Sequence, residues 1–225
     1  MTEFLIIFHQ QLKILFGNPR NFLNNILFYL CFIVIFFIVL KPLLTVNSSG
    51  IANNFGFGYL LIPASFFAML TCLLSTANNF LNEDFLDGTL EQMAINCKNL
   101  EIFIFAKMLA NWLNGSFISG IFATLIGVII GYEINFLWHF LIVFLLTSFV
   151  ISNIYCLCAS LAILGGSTAL IAFIALPLIL PAILFGSLAI YDDFYLNLKI
   201  LLALNIFLNP LIIYASSAIT KIALD

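Results

Sequence analysis

The densest chemistry in this 225-residue sequence lies in the run Asn82-Glu83-Asp84-Phe85-Leu86-Asp87-Gly88-Thr89-Leu90-Glu91-Gln92-Met93. Glu83, Asp84, Asp87 and Glu91 put four of the chain's ten acids within nine positions. Asp87-Gly88 is a turn signal, and Thr89 with Gln92 has capping-box spacing, so a short helix is expected to start at Thr89. Glu91 and Gln92 would then sit near its positive end. Phe85, Leu86, Leu90 and Met93 offer apolar anchors among the charges, a combination that can dock into a groove of a soluble partner. A solvated loop with an ordinary cap explains the same residues equally well on physics alone.

Other reactive side chains are sparse. Cys31, Cys72, Cys97, Cys156 and Cys158 fall mostly inside apolar runs, with neither a disulfide framework nor a C-x-x-C-H haem-attachment motif. Small buried apolar roles suit them. The acidic pair Asp192-Asp193 has no second acidic motif to complete a metal site. No G-x-x-x-x-G-K-[ST] loop occurs, so the chain has no phosphate cradle of its own.

These residues must be held by elements of an unusual composition. Hydrophobic residues make up 64% of the chain and charged residues 8%, with a mean hydropathy of +1.21. A globule of this size could not hide that much apolar surface. A soluble enzyme, a disordered chain and a disulfide scaffold are excluded together, and the net charge of −3 gives no basic footprint for nucleic acid. The fold expected is an all-α integral membrane protein.

The charges cluster, and the gaps between them mark the crossings. About 20 apolar residues cross the ~30 Å hydrocarbon layer. The charge-free stretch 134–191 would run about 87 Å as one helix, so it must fold back, and Gly165-Gly166-Ser167 is its strong break. Six spans follow, at 22–44, 57–81, 103–131, 136–163, 168–190 and 198–219. With the N-terminus inside, Lys13, Arg20, Lys98, Lys107 and Lys221 face the cytoplasm and only Lys41 and Lys199 lie opposite. Both termini inside is the topology this bias favours.

Ahead of the first span, Phe4, Leu5, Phe8, Leu12, Leu15 and Phe16 form an apolar stripe, with His9, Gln10 and Lys13 opposite. The segment is too short to cross and is expected to lie in the interface, with Gly17-Asn18-Pro19 as the elbow into the membrane. The organisation expected is therefore an interfacial helix and elbow over 1–20, then a transmembrane domain over 21–225 with a cytoplasmic loop at 82–101.

Asp87-Gly88-Thr89-Leu90-Glu91-Gln92-Met93 resembles the D-G-[ST]-L-E-Q-[LM] signature of the haem exporter protein B (CcmB) family. Ala106-Lys107-Met108-Leu109-Ala110-Asn111-Trp112 is similar to that family's A-K-x-x-A-x-W run at the same offset. Leu176-Pro177-Leu178-Ile179-Leu180-Pro181 is similar to its L-P-L-x-I-P run in the fifth span. Length, the amphipathic start and Pro210 near the last span fit too, so the resemblance covers essentially the whole chain. The sequence departs from the family pattern at Asn78, Asn79 and Asn82, where members often carry Glu-Arg and another Arg.

The resemblance implies an ABC-2-like permease subunit of the cytochrome c maturation system, in a bacterial inner (plasma) membrane or the mitochondrial inner membrane. The subunit itself would not be an enzyme. ATP would be hydrolysed by a partner, CcmA, with CcmC, CcmD and the haem chaperone CcmE as further partners; apart from the resemblance, six helices are few for an alternating-access pore, so two copies of this chain per complex are expected. Haem would be the substrate of the assembly, exported or released on loaded CcmE, and not a cofactor bound here. Glu83, Asp84, Asp87, Gly88, Thr89, Leu90, Glu91 and Gln92 would form the loop that couples to the ATPase. A permease for another amphiphile, such as a lipid or drug, is the alternative; an ion-coupled carrier is disfavoured, because no ionisable group is placed at mid-membrane.

Three further features bear on the membrane domain. Gly115, Ser119, Ala123, Gly127 and Gly131 recur at every fourth place and would let helices approach closely, within one subunit or at a homodimer seam. Ser148, Ser152, Cys156 and Ser160 make a similar line. Pro177 and Pro181 each remove a backbone donor, so a kink is expected. His9 and His139 are the only possible imidazole haem ligands. His139 beside Trp138 reads more simply as part of an interfacial aromatic belt.

Overall fold

The computed structural model describes residues 2–17, 61–77, 80–96, 99–165 and 168–224, together with 23, 26–27, 29–35 and 38. Its elements are helices, with no strand among the described residues. Helix α1 runs Thr2–Gly17, and the described residues within 23–38 are helical (α2). Helix α3 covers Leu61–Ala77, followed by the short α4 (Asn82–Leu86) and α5 (Thr89–Asn96). Then come α6 (Leu100–Trp112), a π turn (Leu113–Phe117) and α7 (Ile118–Ile130) in one unbroken rod. Helices α8 (Ile134–Ile163), α9 (Thr168–Tyr191) and α10 (Phe194–Leu224) complete the chain.

Among the described residues, four helical segments are long and apolar enough to cross a membrane: Leu100–Ile129, Ile134–Ile163, Phe173–Tyr191 and Phe194–Leu224. They correspond to the expected third to sixth spans, with the last starting four residues earlier and ending later than the charge pattern indicated. The expected second span is helical over Leu61–Ala77. Most of the first span (22–44) and the elbow residues Asn18 and Pro19 lie outside the described residues.

Breaks in the rods follow local chemistry. Gly131 ends α7 at φ +94°, donating to the Gly127 and Val128 carbonyls, and the Tyr132 amide donates back to Gly127. That Schellman arrangement needs a left-handed residue, which glycine adopts at least cost. Gly131 is therefore a stop, not a fourth-place packing residue. Gly165, at φ +101°, marks the end of α8, where the sequence placed the fold-back. At the other end of the bundle, the Asp193 carboxylate accepts from the Leu196 amide as α10 begins.

Helix α8 is the central post: 67% of its most apolar stretch is buried inside the chain, against 33% or less in the other three crossings. One core joins Phe66 and Met69 of α3 to Phe140, Phe144 and Ile151 of α8, Ile179 and Ala182 of α9 and Leu201 and Ile212 of α10. Phe66 and Phe144 stack at 5.7 Å. The second core lies at the α1–α6 end, where Ile7, Leu81, Leu90, Leu100, Phe103 and Ile104 meet Cys156 and Ala159 of α8.

The inward face of α1 differs from the stripe read off the sequence. Phe4, Ile7 and Phe8 face α6, with Phe4 stacked on Phe105 at 5.6 Å, whereas Leu5 and Ile6 are exposed. Burying Ile7 against α6 turns the helix away from the face that a free wheel would choose. His9, Gln10 and Lys13 are exposed, as expected. The side chains of Leu15 and Phe16 lie outside the described residues.

Candidate functional site

The acidic run folds as an elbow of two short helices. Asp87-Gly88 joins α4 to α5, and Gly88 takes φ +70°, a left-handed value that suits glycine. The Asp87 amide donates to Glu83 and the Gly88 amide to Phe85, which closes α4; the Gln92 amide reaches back to Gly88 as α5 starts. A helix starting at Thr89 is thus as expected, but the capping box is not formed. The Thr89 hydroxyl donates to the Asp84 carbonyl at 3.0 Å and ties the two helices together. Thr89 is already the first residue of α5, so its side chain bonds backwards to α4 rather than forward to an orphan amide.

The elbow's apolar residues sort into two sets. Leu90 is fully buried, and Phe85 and Met93 pack beside it against the α6 core. Three of the four anchors expected to meet a partner are therefore spent inside the chain. Left exposed are Asn82, Glu83, Asp87, Thr89, Glu91 and Gln92, with Leu86 and Ile95 standing 75% and 84% open. The outward face is an acidic rim around two aliphatic side chains.

Asp84 is the member of the cluster that turns inward. It pairs with Lys107 of α6, both groups being largely shielded from solvent. The Lys107 ammonium also lies 5.6 Å from the centre of the Phe80 ring, within range of a cation–π attraction. A charge-assisted contact, the Thr89 tie and the Leu90 socket together rivet the elbow to α6.

Helix α6 is in turn fastened to the post. The Trp112 indole N–H donates to the Ser148 hydroxyl at 2.9 Å, and its ring meets Phe149 edge-on at 5.3 Å. Immediately beyond lies the π turn, in which Asn114 and Ser116 are buried. Such turns interrupt the regular helical ladder and recur at functional sites. The arrangement holds no nucleophile–base pair, and no group of three metal-ligating side chains exists among the described residues. Side-chain contacts link the elbow to α6 and α6 to α8.

The remaining residues singled out by sequence fall elsewhere. Ser119, Ala123 and Gly127 are buried within this chain, and a side chain on Gly115 would meet Leu73 of α3 at 3.7 Å. Ser148, Ser152, Cys156 and Ser160 are buried along α8, with the Cys156 sulfur 3.9 Å from the Ser216 hydroxyl of α10. Pro177 and Pro181 are both exposed, and α9 runs through them as a continuous helix. His139 stands at the far end of the bundle, edge-on to Phe194 at 4.2 Å; its aromatic partner is thus Phe194. The Asp84–Lys107 pair and the Trp112–Ser148 bond are the contacts that sequence reasoning missed. A single lysine inside an apolar helix beside an acidic run was the available signal.

The full length of the chain has counterparts among known proteins. Residues 2–223 match the family model described as CcmB protein. The chain is 28% identical over 232 residues to Heme exporter protein B of Haemophilus influenzae, covering 99% of each chain. It is 26% identical over 185 residues to Heme exporter protein B of Pseudomonas aeruginosa, covering 82% of this chain and 78% of that one. With a family match running almost from end to end over a helical membrane fold, this chain belongs to the CcmB family.

Proposed function

We propose that this chain is the membrane-spanning permease subunit of an ABC-type haem export complex serving cytochrome c maturation, in the inner membrane of a bacterium. The relatives named as haem exporters support the cargo. The exposed acidic rim of the elbow, riveted to α6 by Asp84, Thr89 and Leu90, is the observation that carries the mechanism. A separate ATPase, CcmA, grips Glu83, Asp87, Glu91 and Gln92 from the cytoplasm, while Leu86 and Ile95 supply the apolar contact of a helix-in-groove interface. Its ATP-driven motion moves α6 through the rivet, and α6 moves α8 through Trp112. The π turn lets α6 shift without dragging α7 rigidly after it.

In this reading the chain crosses six times with both termini inside, α1 lies in the cytoplasmic interface, and two copies pair in a complex with CcmC and CcmD that serves CcmE. The deciding experiment is mild-detergent purification of the tagged chain with and without charge reversal at Glu83, Asp87 and Glu91. Wild type should bring down the ATPase, and the triple reversal should lose it together with holocytochrome c in a complemented deletion strain. Retained association and normal maturation in the triple variant would overturn the coupling role. Normal holocytochrome c in the deletion strain itself would instead point to export of another amphiphile.

A further inference from the structure

The end of the bundle opposite the elbow carries a second group of side chains with a chemistry of its own. His139 is exposed on the first turns of α8, and its Nδ1 lies 2.6 Å from the Asn135 carbonyl oxygen. A carbonyl can only accept, so Nδ1 carries the proton and the neutral ring keeps its lone pair on Nε2. Among the described residues no hydrogen bond uses that second nitrogen. This is the arrangement that metal-ligating histidines share: one ring nitrogen donates to a backbone carbonyl, which fixes the tautomer and makes the other nitrogen a better ligand.

The surroundings suit a flat apolar ligand. The imidazole is set perpendicular to the Phe194 ring at 4.2 Å, and Phe194 meets Tyr195 edge-on at 5.4 Å. Trp138, the residue before His139, is 61% exposed and Tyr195 71%. Lys199 is exposed one turn after Tyr195 on the same helix, which puts a cation on the helix face that Tyr195 occupies. An interfacial aromatic belt alone requires none of this ordering of the imidazole.

We propose that this end of the bundle is a docking platform for an iron porphyrin, with His139 Nε2 as axial ligand, Trp138, Phe194 and Tyr195 as apolar flanks and Lys199 facing a propionate. The inference deepens the haem-export reading and rests on it for the cargo. Binding forms one Fe–N bond from the Nε2 lone pair in place of an iron-bound water, with no change of oxidation state. The site is transient by construction, since one exposed ligand and an open aromatic wall allow release.

The test is titration of the purified full-length chain in nanodiscs with ferric haem and, separately, with metal-free protoporphyrin, followed by absorption and tryptophan quenching. Wild type and His9→Ala should give the same saturable haem complex with an imidazole-type Soret band. His139→Ala should weaken haem binding by at least about tenfold while leaving protoporphyrin binding unchanged, because only the metal feels the missing ligand. Added imidazole should restore the band in that variant. His139→Gln, with unchanged elution on size exclusion, guards against misfolding as the cause. Equal haem affinity and spectra in wild type and both His139 variants would overturn the proposal. A deletion strain that matures cytochrome c normally while His139-dependent haem binding persists would sink the export role and leave the site standing. Loss of maturation in the deletion strain with full rescue by His139→Ala, together with unaltered haem binding, would do the reverse.

Discussion

Lys107 sits one turn and a half before Trp112 on a helix otherwise faced with Phe103, Ile104, Ala106 and Met108, so its charge must be answered locally. Asp84 answers it across 23 residues of sequence. The pair is neither fully exposed, where ion pairs contribute up to about 1 kcal/mol, nor fully buried, where stranding one partner costs about 3–5 kcal/mol. Lys107→Met or Asp84→Asn alone should therefore destabilise the folded chain by roughly 1–3 kcal/mol. The double substitution should be no worse than the worse single one, because neither charge is then stranded. Thermal unfolding of the four proteins in detergent completes the cycle, and strict additivity would show that the two groups do not interact. The partner of Lys107 was hidden in the sequence: a lone cation near a helix end reads as snorkelling to the interface, and only the fold reveals which acid turns inward. Leu90 was hidden likewise, since an apolar residue among acids looks like a contact for another protein until α6 is seen to fill the space.

Helix contacts at the element scale rest on close approaches that periodicity does not reveal. Gly186 of α9 lies so near α8 that an added Cβ would come 2.5 Å from the Thr147 hydroxyl and 3.3 Å from its methyl. Gly186→Ala should push the helices apart and cost roughly 1–3 kcal/mol, as overpacked cores do. Thr147→Ala removes both clashing atoms, so the pair Gly186→Ala/Thr147→Ala should recover most of that loss in the same melting assay. A Gly186→Ala chain as stable as wild type would mean that α8 and α9 do not meet this way. The small-residue pattern pointed instead to Gly115, Ser119, Ala123, Gly127 and Gly131, three glycines, a serine and an alanine at regular spacing; Gly186 stands in a run with no repeat and gave no signal. By contrast, the fold-back between α8 and α9 was legible because glycine is where a long apolar run can turn. The amphipathic face of α1 was half legible: polarity located His9, Gln10 and Lys13, but α6 decided that Ile7, not Leu5, goes in.

At the scale of the whole molecule, the charged side chains among the described residues gather towards the two ends of the helical bundle. The elbow and Lys107 lie at the α1–α6 end, while Glu133, Asp192 and Asp193 stand exposed at the other. Between them α9 and α10 expose Phe173, Leu176, Leu180, Ile206, Phe207 and Leu211, a surface that water would not tolerate and lipid would. Such a bundle can sit in the bilayer either way up, and the proposed cytoplasmic elbow is the orientation that the lysine bias favours. In that orientation the His139 end would lie outside, where cargo would be handed on, so one orientation serves both proposals. Single cysteines at Asp87 and Asp193, introduced where the native cysteines have been replaced, test it directly. A membrane-impermeant maleimide added to intact spheroplasts should label Asp193→Cys at once and Asp87→Cys only after lysis. The opposite pattern would put the acidic rim beyond the reach of any cytoplasmic ATPase, and the lever from elbow to α6 to α8 would have no motor to drive it.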